Sequence, residues 1–267
     1  SSANSLLKVF TDKAILLFNE SIKKFPNSLE AYSNLASILV IKGKSDTAKN
    51  ILNKAIELNP NYLKPYSNLA SIYVGEGDFK EAEVLLRKSV GINSKDVNTL
   101  VNLGCVLKDL GRPKEAEKFL RNALKIKPTY EIVLTNLGSV LNELEKIEEG
   151  ERYLRKALNI NPASPMALNN LGNILSKKKN NSEAEFCYRK AIEIKSDFSL
   201  AYNNLASLLS RQGKLSEAEE FTEKAILYNP KFELAFVNLG SIKIDLDKLS
   251  EAEELFLRAI EINKNYN

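Results

Sequence analysis

The sequence predicts an all-α solenoid of tandem helix-turn-helix units. Three observations predict it: an Asn-Leu-small triplet that recurs every 34 residues, two apolar stripes of helical spacing within each period, and turn-forming residues placed between the stripes.

The triplet stands at Asn34-Leu35-Ala36, Asn68-Leu69-Ala70, Asn102-Leu103-Gly104 and Asn136-Leu137-Gly138. It continues at Asn170-Leu171-Gly172, Asn204-Leu205-Ala206 and Asn238-Leu239-Gly240, with no insertion or deletion between copies. Counting Leu29 as position 1, seven repeats span 29–62, 63–96, 97–130, 131–164, 165–198, 199–232 and 233–266. Residues 1–28 carry Ala14, Phe18, Ile22 and Pro26, the marks of the second helix of a further, partial repeat.

In the first helix of each repeat, positions 4, 7, 8 and 11 form one apolar stripe, with Tyr, Leu or Phe at position 4 (Tyr32 and Phe236 among them). In the second helix, positions 20, 24, 27 and 28 form the other. Small residues at 8, 20 and 27 let the helix backbones approach closely. Between the stripes Gly43, Gly77, Gly111 and Gly213 suit the left-handed residue that ends a helix. Ser182 with Glu185, Ser216 with Glu219, and Ser250 with Glu253 have the spacing of capping boxes for the second helix. Pro60, Pro128, Pro162 and Pro230 are expected to stop that helix, because proline cannot continue the hydrogen-bond ladder. One hairpin cannot bury both stripes alone, so the repeats are expected to stack, with a concave and a convex face.

The combination of a bulky residue at 4, Leu-Gly at 7–8, Ala at 20 and 27 and Pro at 32 resembles the tetratricopeptide repeat, over about nine-tenths of the chain. That resemblance implies a right-handed superhelix. The Asn-Leu-Gly-rich form is most similar to the repeat domain of O-linked N-acetylglucosamine transferases and related bacterial repeat proteins. In those, inner-face Asn residues hold the backbone of an extended peptide. The chain departs from the pattern at Ser94, Ser196 and Lys264, which replace Pro, and at Gly150, which replaces Ala. At the far end Leu249, Leu255, Phe256 and Ile260 are expected to present an apolar face, so the chain is either a fragment of a longer protein or self-associates there.

Composition narrows the function. The 267 residues are 44% hydrophobic and 27% charged, enough for a continuous core. The longest apolar run, Ala14 to Phe18, is far too short to span a bilayer. No leader is recognisable at the start, and a cytoplasmic setting is expected. Cys105 and Cys187 lie more than two repeats apart and are expected to be reduced, structural thiols. Net charge is +4, but single repeats range from +4 over 97–130 to −3 over 233–266, which is not the one-sided basic stripe of a nucleic-acid binder. No histidine is present, so Ser-His, Cys-His and His-metal chemistry is excluded within the chain. No catalytic residue, metal site or cofactor is expected.

The surface left for function is the concave one, formed by first-helix positions 2, 5, 6, 9, 12 and 13. Position 6 is Asn in every repeat: Asn34, Asn68, Asn102, Asn136, Asn170, Asn204 and Asn238. A carboxamide has an acceptor and two donors, so each can grip an extended backbone with little regard to its sequence. The same residues could instead bond a neighbouring helix. Position 2 turns from Glu30, Lys64 and Asn98 to Ile132, Met166, Leu200 and Leu234, which are either pockets for ligand side chains or packing against the next repeat. Position 9 is small throughout, with Asn173 its most polar member. The chain is expected to be a protein- or peptide-binding scaffold. The alternatives are the substrate-recognition arm of a larger transferase and a self-assembling array. Position 5 lacks the Lys of carboxylate-clamp repeats, which disfavours binding of chaperone tails.

Overall fold

The structure, a computed structural model, describes Ser2–Lys264, with side chains over 10–262. The last expected repeat boundary, Tyr266, and the side chain of Lys264 lie outside the described residues. Every regular element among those residues is an α-helix. The all-α repeat fold expected from the sequence is the fold observed.

Two compact units divide the chain, Ser1–Pro128 and Thr129–Asn267. In the first, α1 (Ser2–Lys24) precedes three hairpins: α2 (Leu29–Ile41) with α3 (Ser45–Leu58), α4 (Leu63–Glu76) with α5 (Phe79–Ile92), and α6 (Val97–Asp109) with α7 (Pro113–Ile126). The second contains four: α8 (Glu131–Glu143) with α9 (Ile147–Ile160), α10 (Pro165–Lys177) with α11 (Asn181–Ile194), α12 (Ser199–Arg211) with α13 (Leu215–Tyr228), and α14 (Glu233–Asp245) with α15 (Leu249–Lys264). Within the second unit the backbones of α8 and α10, α10 and α12, and α12 and α14 approach closely, whereas among the described residues those of α9, α11, α13 and α15 do not. The first helices therefore stand closer together and line the inner side. The first unit repeats this arrangement, with α2 on α4 and α4 on α6.

The apolar stripes form the core. Leu35, Ala36, Ala48, Leu52 and Ala55 are buried in the α2–α3 hairpin, and Leu137, Leu141, Leu154 and Ala157 in α8–α9. Each buried Leu contributes about 1.5–3 kcal/mol relative to exposure. The small positions do what their spacing implies. A Cβ on Gly138 would lie 2.5 Å from Leu154 Cγ and 3.2 Å from the Gly150 carbonyl oxygen, so the departure at Gly150 accompanies a close backbone approach.

The turn inside every hairpin has one geometry. Position 15 is left-handed in all seven: Gly43, Gly77, Gly111 and Gly213, but also Glu145, Lys179 and Asp247 at φ 57–61°. The next N–H then donates to the carbonyl five residues back, as from Arg112 to Leu107 (2.8 Å) and Asn180 to Leu175 (2.9 Å). This tight closure starts the second helix two residues after the left-handed one. Ser182 and Ser216 consequently sit second in α11 and α13, whose N-caps are Asn180 and Lys214, and Ser250 sits second in α15. The expected capping boxes do not form. Glu185 instead pairs with Arg189 at 2.9 Å, and Glu219 with Lys243 at 2.5 Å.

Helix ends also differ from expectation. α5 and α11 lack the closing proline yet stop at the same register position as α3, α7, α9 and α13, whereas α15, with Lys264 in place of proline, runs two residues further. The residue that follows is Asn in α3, α5, α9 and α13, and its Oδ1 accepts the N–H two residues on, at 2.9 Å for Asn59 and 3.0 Å for Asn93. This side-chain turn redirects the chain whether or not proline follows.

On the outer helices an ion-pair series joins successive repeats. Arg155 bonds Glu151 in its own helix (2.8 Å) and Glu183 in the next repeat (2.8 Å). Arg87 does the same with Glu83 and Glu115, and Arg189 with Glu185 and Glu217. In the last hairpin Phe256 packs under Gly240, while Leu249, Leu257 and Ile260 of α15 are exposed. Phe256 nonetheless lines one open apolar hollow with Leu249, Leu257 and Ile260, so the apolar face holds these residues together.

Candidate peptide-binding face

Positions 2 and 6 are one helical turn apart on the same face of each first helix. In the second unit this sets Ile132, Met166, Leu200 and Leu234 beside Asn136, Asn170, Asn204 and Asn238. The four apolar side chains are 43%, 44%, 41% and 52% exposed. Each is thus about half buried against its surroundings and half in solvent.

The Asn residues do not behave alike. Asn204 Nδ2 donates to Asn169 Oδ1 of the preceding repeat at 2.9 Å, and Asn238 Nδ2 donates to Asn203 Oδ1 at 2.8 Å. Asn169 and Asn203 are buried position-5 residues, and their side chains can be satisfied only by such partners. In the first unit Asn68 Nδ2 reaches the Ser33 carbonyl at 3.3 Å and Ser37 Oγ at 3.5 Å in the same sense. Asn34 Oδ1 accepts from Lys64 Nζ at 3.0 Å. Asn136 Nδ2 bonds its own helix at Ile132 O (2.9 Å), and Asn170 is buried, accepting from Asn169 at 3.5 Å. Asn102 bonds no described residue and lines a hollow of about 150 Å³ with Ser71, Cys105 and Asp109.

The repeated Asn therefore has a structural half. At Asn68, Asn204 and Asn238 the amide nitrogen ties one first helix to the one before, and among the described residues their Oδ1 atoms accept nothing. Position 9 is quieter. Ser37, Ser71 and Ser241 bond back to their own helices at 2.9–3.1 Å. Asn173 Oδ1 accepts from the Tyr188 hydroxyl at 2.8 Å.

Sequence reasoning passed over the position-5 partners, although the Asn169-Asn170 and Asn203-Asn204 doublets were the available signal. Both cysteines are free thiols, and burial pushes each up to about 11, which leaves them protonated and unreactive near neutrality. Among the described residues no helix is long and apolar enough to cross a membrane.

Comparison with known proteins agrees with this geometry. Solved structures with the same fold include the Cut9–Hcn1 hetero-tetramer of the APC/C, at TM-score 0.75 and 15% identity, covering 87% of this chain and 46% of that one. This chain thus spans less than half of that relative. A tetratricopeptide repeat protein from Parabacteroides merdae matches at TM-score 0.70 and 22% identity, over 88% of this chain and 93% of that one. YrrB, described as a TPR protein with an unusual peptide-binding site, matches at 0.53 and 24% over 69% and 95%. No curated protein matches this chain. Tetratricopeptide repeat models match residues 187–220 and 235–266, and the model for the cilia and flagella-associated protein 70 C-terminal domain matches residues 7–203. The chain is a tetratricopeptide-repeat array and belongs to the cilia and flagella-associated protein 70 C-terminal domain family.

Proposed function

We propose that the inner helices of this protein-interaction scaffold hold extended polypeptide. In this reading the repeats of 34 residues set the spacing of the contacts. The observation that carries it is the pairing, on α8, α10, α12 and α14, of a half-exposed apolar residue with an Asn one turn later. At Asn204 and Asn238 the amide nitrogen is already engaged, so the carboxamide is held in one orientation and its Oδ1 can accept a backbone N–H. Ordering that acceptor before binding lowers the entropic cost of the complex. Met166, Leu200 and Leu234 then offer apolar contact to the ligand's side chains. Main-chain grip gives affinity with little sequence demand, and the apolar row supplies the preference.

The similarity to YrrB supports the reading only by fold. The test is a fluorescence-anisotropy titration of labelled peptides, selected from a random library on the parent chain, against a Met166→Ser, Leu200→Ser, Leu234→Ser variant. About half of each side chain is in solvent, so the variant's fold is first checked by circular dichroism, and binding should weaken roughly tenfold or more. Equal affinity for parent and variant would remove the apolar row from the site.

A further inference from the structure

The inner side of the second unit contains a polar hollow of about 310 Å³ that the Asn row and the apolar row leave unexplained. Its walls come from α8, α10, α11 and α12, and include Asn142, Asn173, Lys177, Asn204, Ser207 and Arg211. Two features are unusual. Asn142 Oδ1 is buried there without a hydrogen-bond partner. Arg211 donates to Ser176 Oγ, but no described carboxylate pairs with it.

The charges and donors can be counted by role. Lys177 is neutralised by Glu145 at 3.0 Å and also donates to the Asn142 carbonyl at 3.1 Å. Arg211 is therefore the one uncompensated charge among the described residues that line the hollow. The Asn173 Oδ1 is taken by the Tyr188 hydroxyl, which leaves its amide nitrogen as a free donor, and the Ser207 hydroxyl bonds no described residue. Tyr188 itself stays a neutral phenol, because burial pushes its pKa well above the usual range.

We infer that this hollow is a subsite for an acidic side chain, Asp or Glu, of the segment held by the inner helices; the inference rests on the peptide-holding reading above. A single uncompensated guanidinium matches a singly charged carboxylate better than a doubly charged phosphoryl group. The fork of N–H groups on Arg211 suits the two carboxylate oxygens, with Ser207 and Asn173 as further donors. Arg211 stands at repeat position 13, not at the position-5 lysine of a carboxylate clamp, and Asn173 stands at position 9, where such clamps carry Asn.

The test uses a dodecapeptide library joined to its phage carrier through the C terminus, so that no displayed segment has a free terminal carboxylate. The library is selected on the full chain and on Arg211→Gln and Arg211→Glu, each first checked by circular dichroism. The parent should enrich Asp or Glu at one position. Arg211→Gln should lose that enrichment, and Arg211→Glu should turn it toward Lys or Arg. Exchanging Glu for Gln in a selected, C-terminally amidated peptide should weaken binding to the parent roughly tenfold or more. Peptides selected without an acidic position, or an acidic position that survives Arg211→Gln, overturn the subsite and leave peptide holding in place. A parent that selects no peptide overturns both.

Discussion

Asn204 donates its side-chain amide to Asn169 Oδ1 across the α10–α12 boundary at 2.9 Å, and Asn238 repeats the bond to Asn203 one step along. The Asn that looks like a ligand contact in sequence is thus also a connector between repeats.

Asn169→Ala removes the acceptor, leaves the Asn204 amide short of a partner and opens a gap at a buried position. The expected loss is about 1–3 kcal/mol in urea unfolding. Asn136, which bonds only its own helix, is the control: Asn136→Ala should stay within about 0.5 kcal/mol. Similar losses from the two variants would mean the inter-repeat bond contributes little.

The left-handed turn residue gives a prediction of opposite sign. Glu145, Lys179 and Asp247 occupy a conformation that costs an ordinary residue about 1–2 kcal/mol and costs glycine little. Part of the gain on substitution is offset by the freedom glycine adds to the unfolded chain. Lys179→Gly should therefore stabilise by about 0.5–1 kcal/mol. Gly77→Ala should destabilise by about 1–2 kcal/mol, both read from thermal melts.

At the α10–α11 contact a Cβ on Gly172 would lie 2.6 Å from Tyr188 Cε1. Gly172→Ala should cost about 1–3 kcal/mol through overpacking. Adding Tyr188→Leu recreates the Ala-Leu pair already present at Ala70 and Leu86, and should recover most of the loss. A double-mutant cycle with no coupling would contradict direct packing of the two residues.

Acid sensitivity follows from the outer ion pairs. A hydrogen bond from Lys178, opposed by burial and reinforced by Arg155, holds Glu151 below its ordinary 4.5. Its folded-state pKa is depressed, so its contribution is present above about 4.5 and is lost as pH falls through the lower, folded value. Glu151→Gln should flatten the decline of melting temperature below that pH. A variant whose acid limb matches the parent's would show that the pair does not stabilise the fold.

The fold was legible because each unit needs the same residues at the same offsets. The leucine at repeat position 7, the small residue after it and the small residue at position 20 report helix approach directly, and seven copies repeat the message. Helix starts depart from expectation at Ser182, Ser216 and Ser250, because a capping-box spacing is a local signal and the hairpin closure at position 15 overrides it. The site was half legible. The Asn row could be found by period alone, but its donors turn toward Asn169 and Asn203, a relation between residues 35 apart that only stacking creates. The Arg211 hollow draws on three repeats and breaks the period, so no repeat-wise reading isolates it.

The most direct measurement is NMR of Asn side-chain amides in the second unit during titration with a selected peptide. Peptide holding on the inner helices predicts saturable shifts at Asn136, Asn204 and Asn238, with residues on the outer faces of α9, α11 and α13 unmoved. Binding that shifts the outer helices and leaves those three amides in place would contradict it.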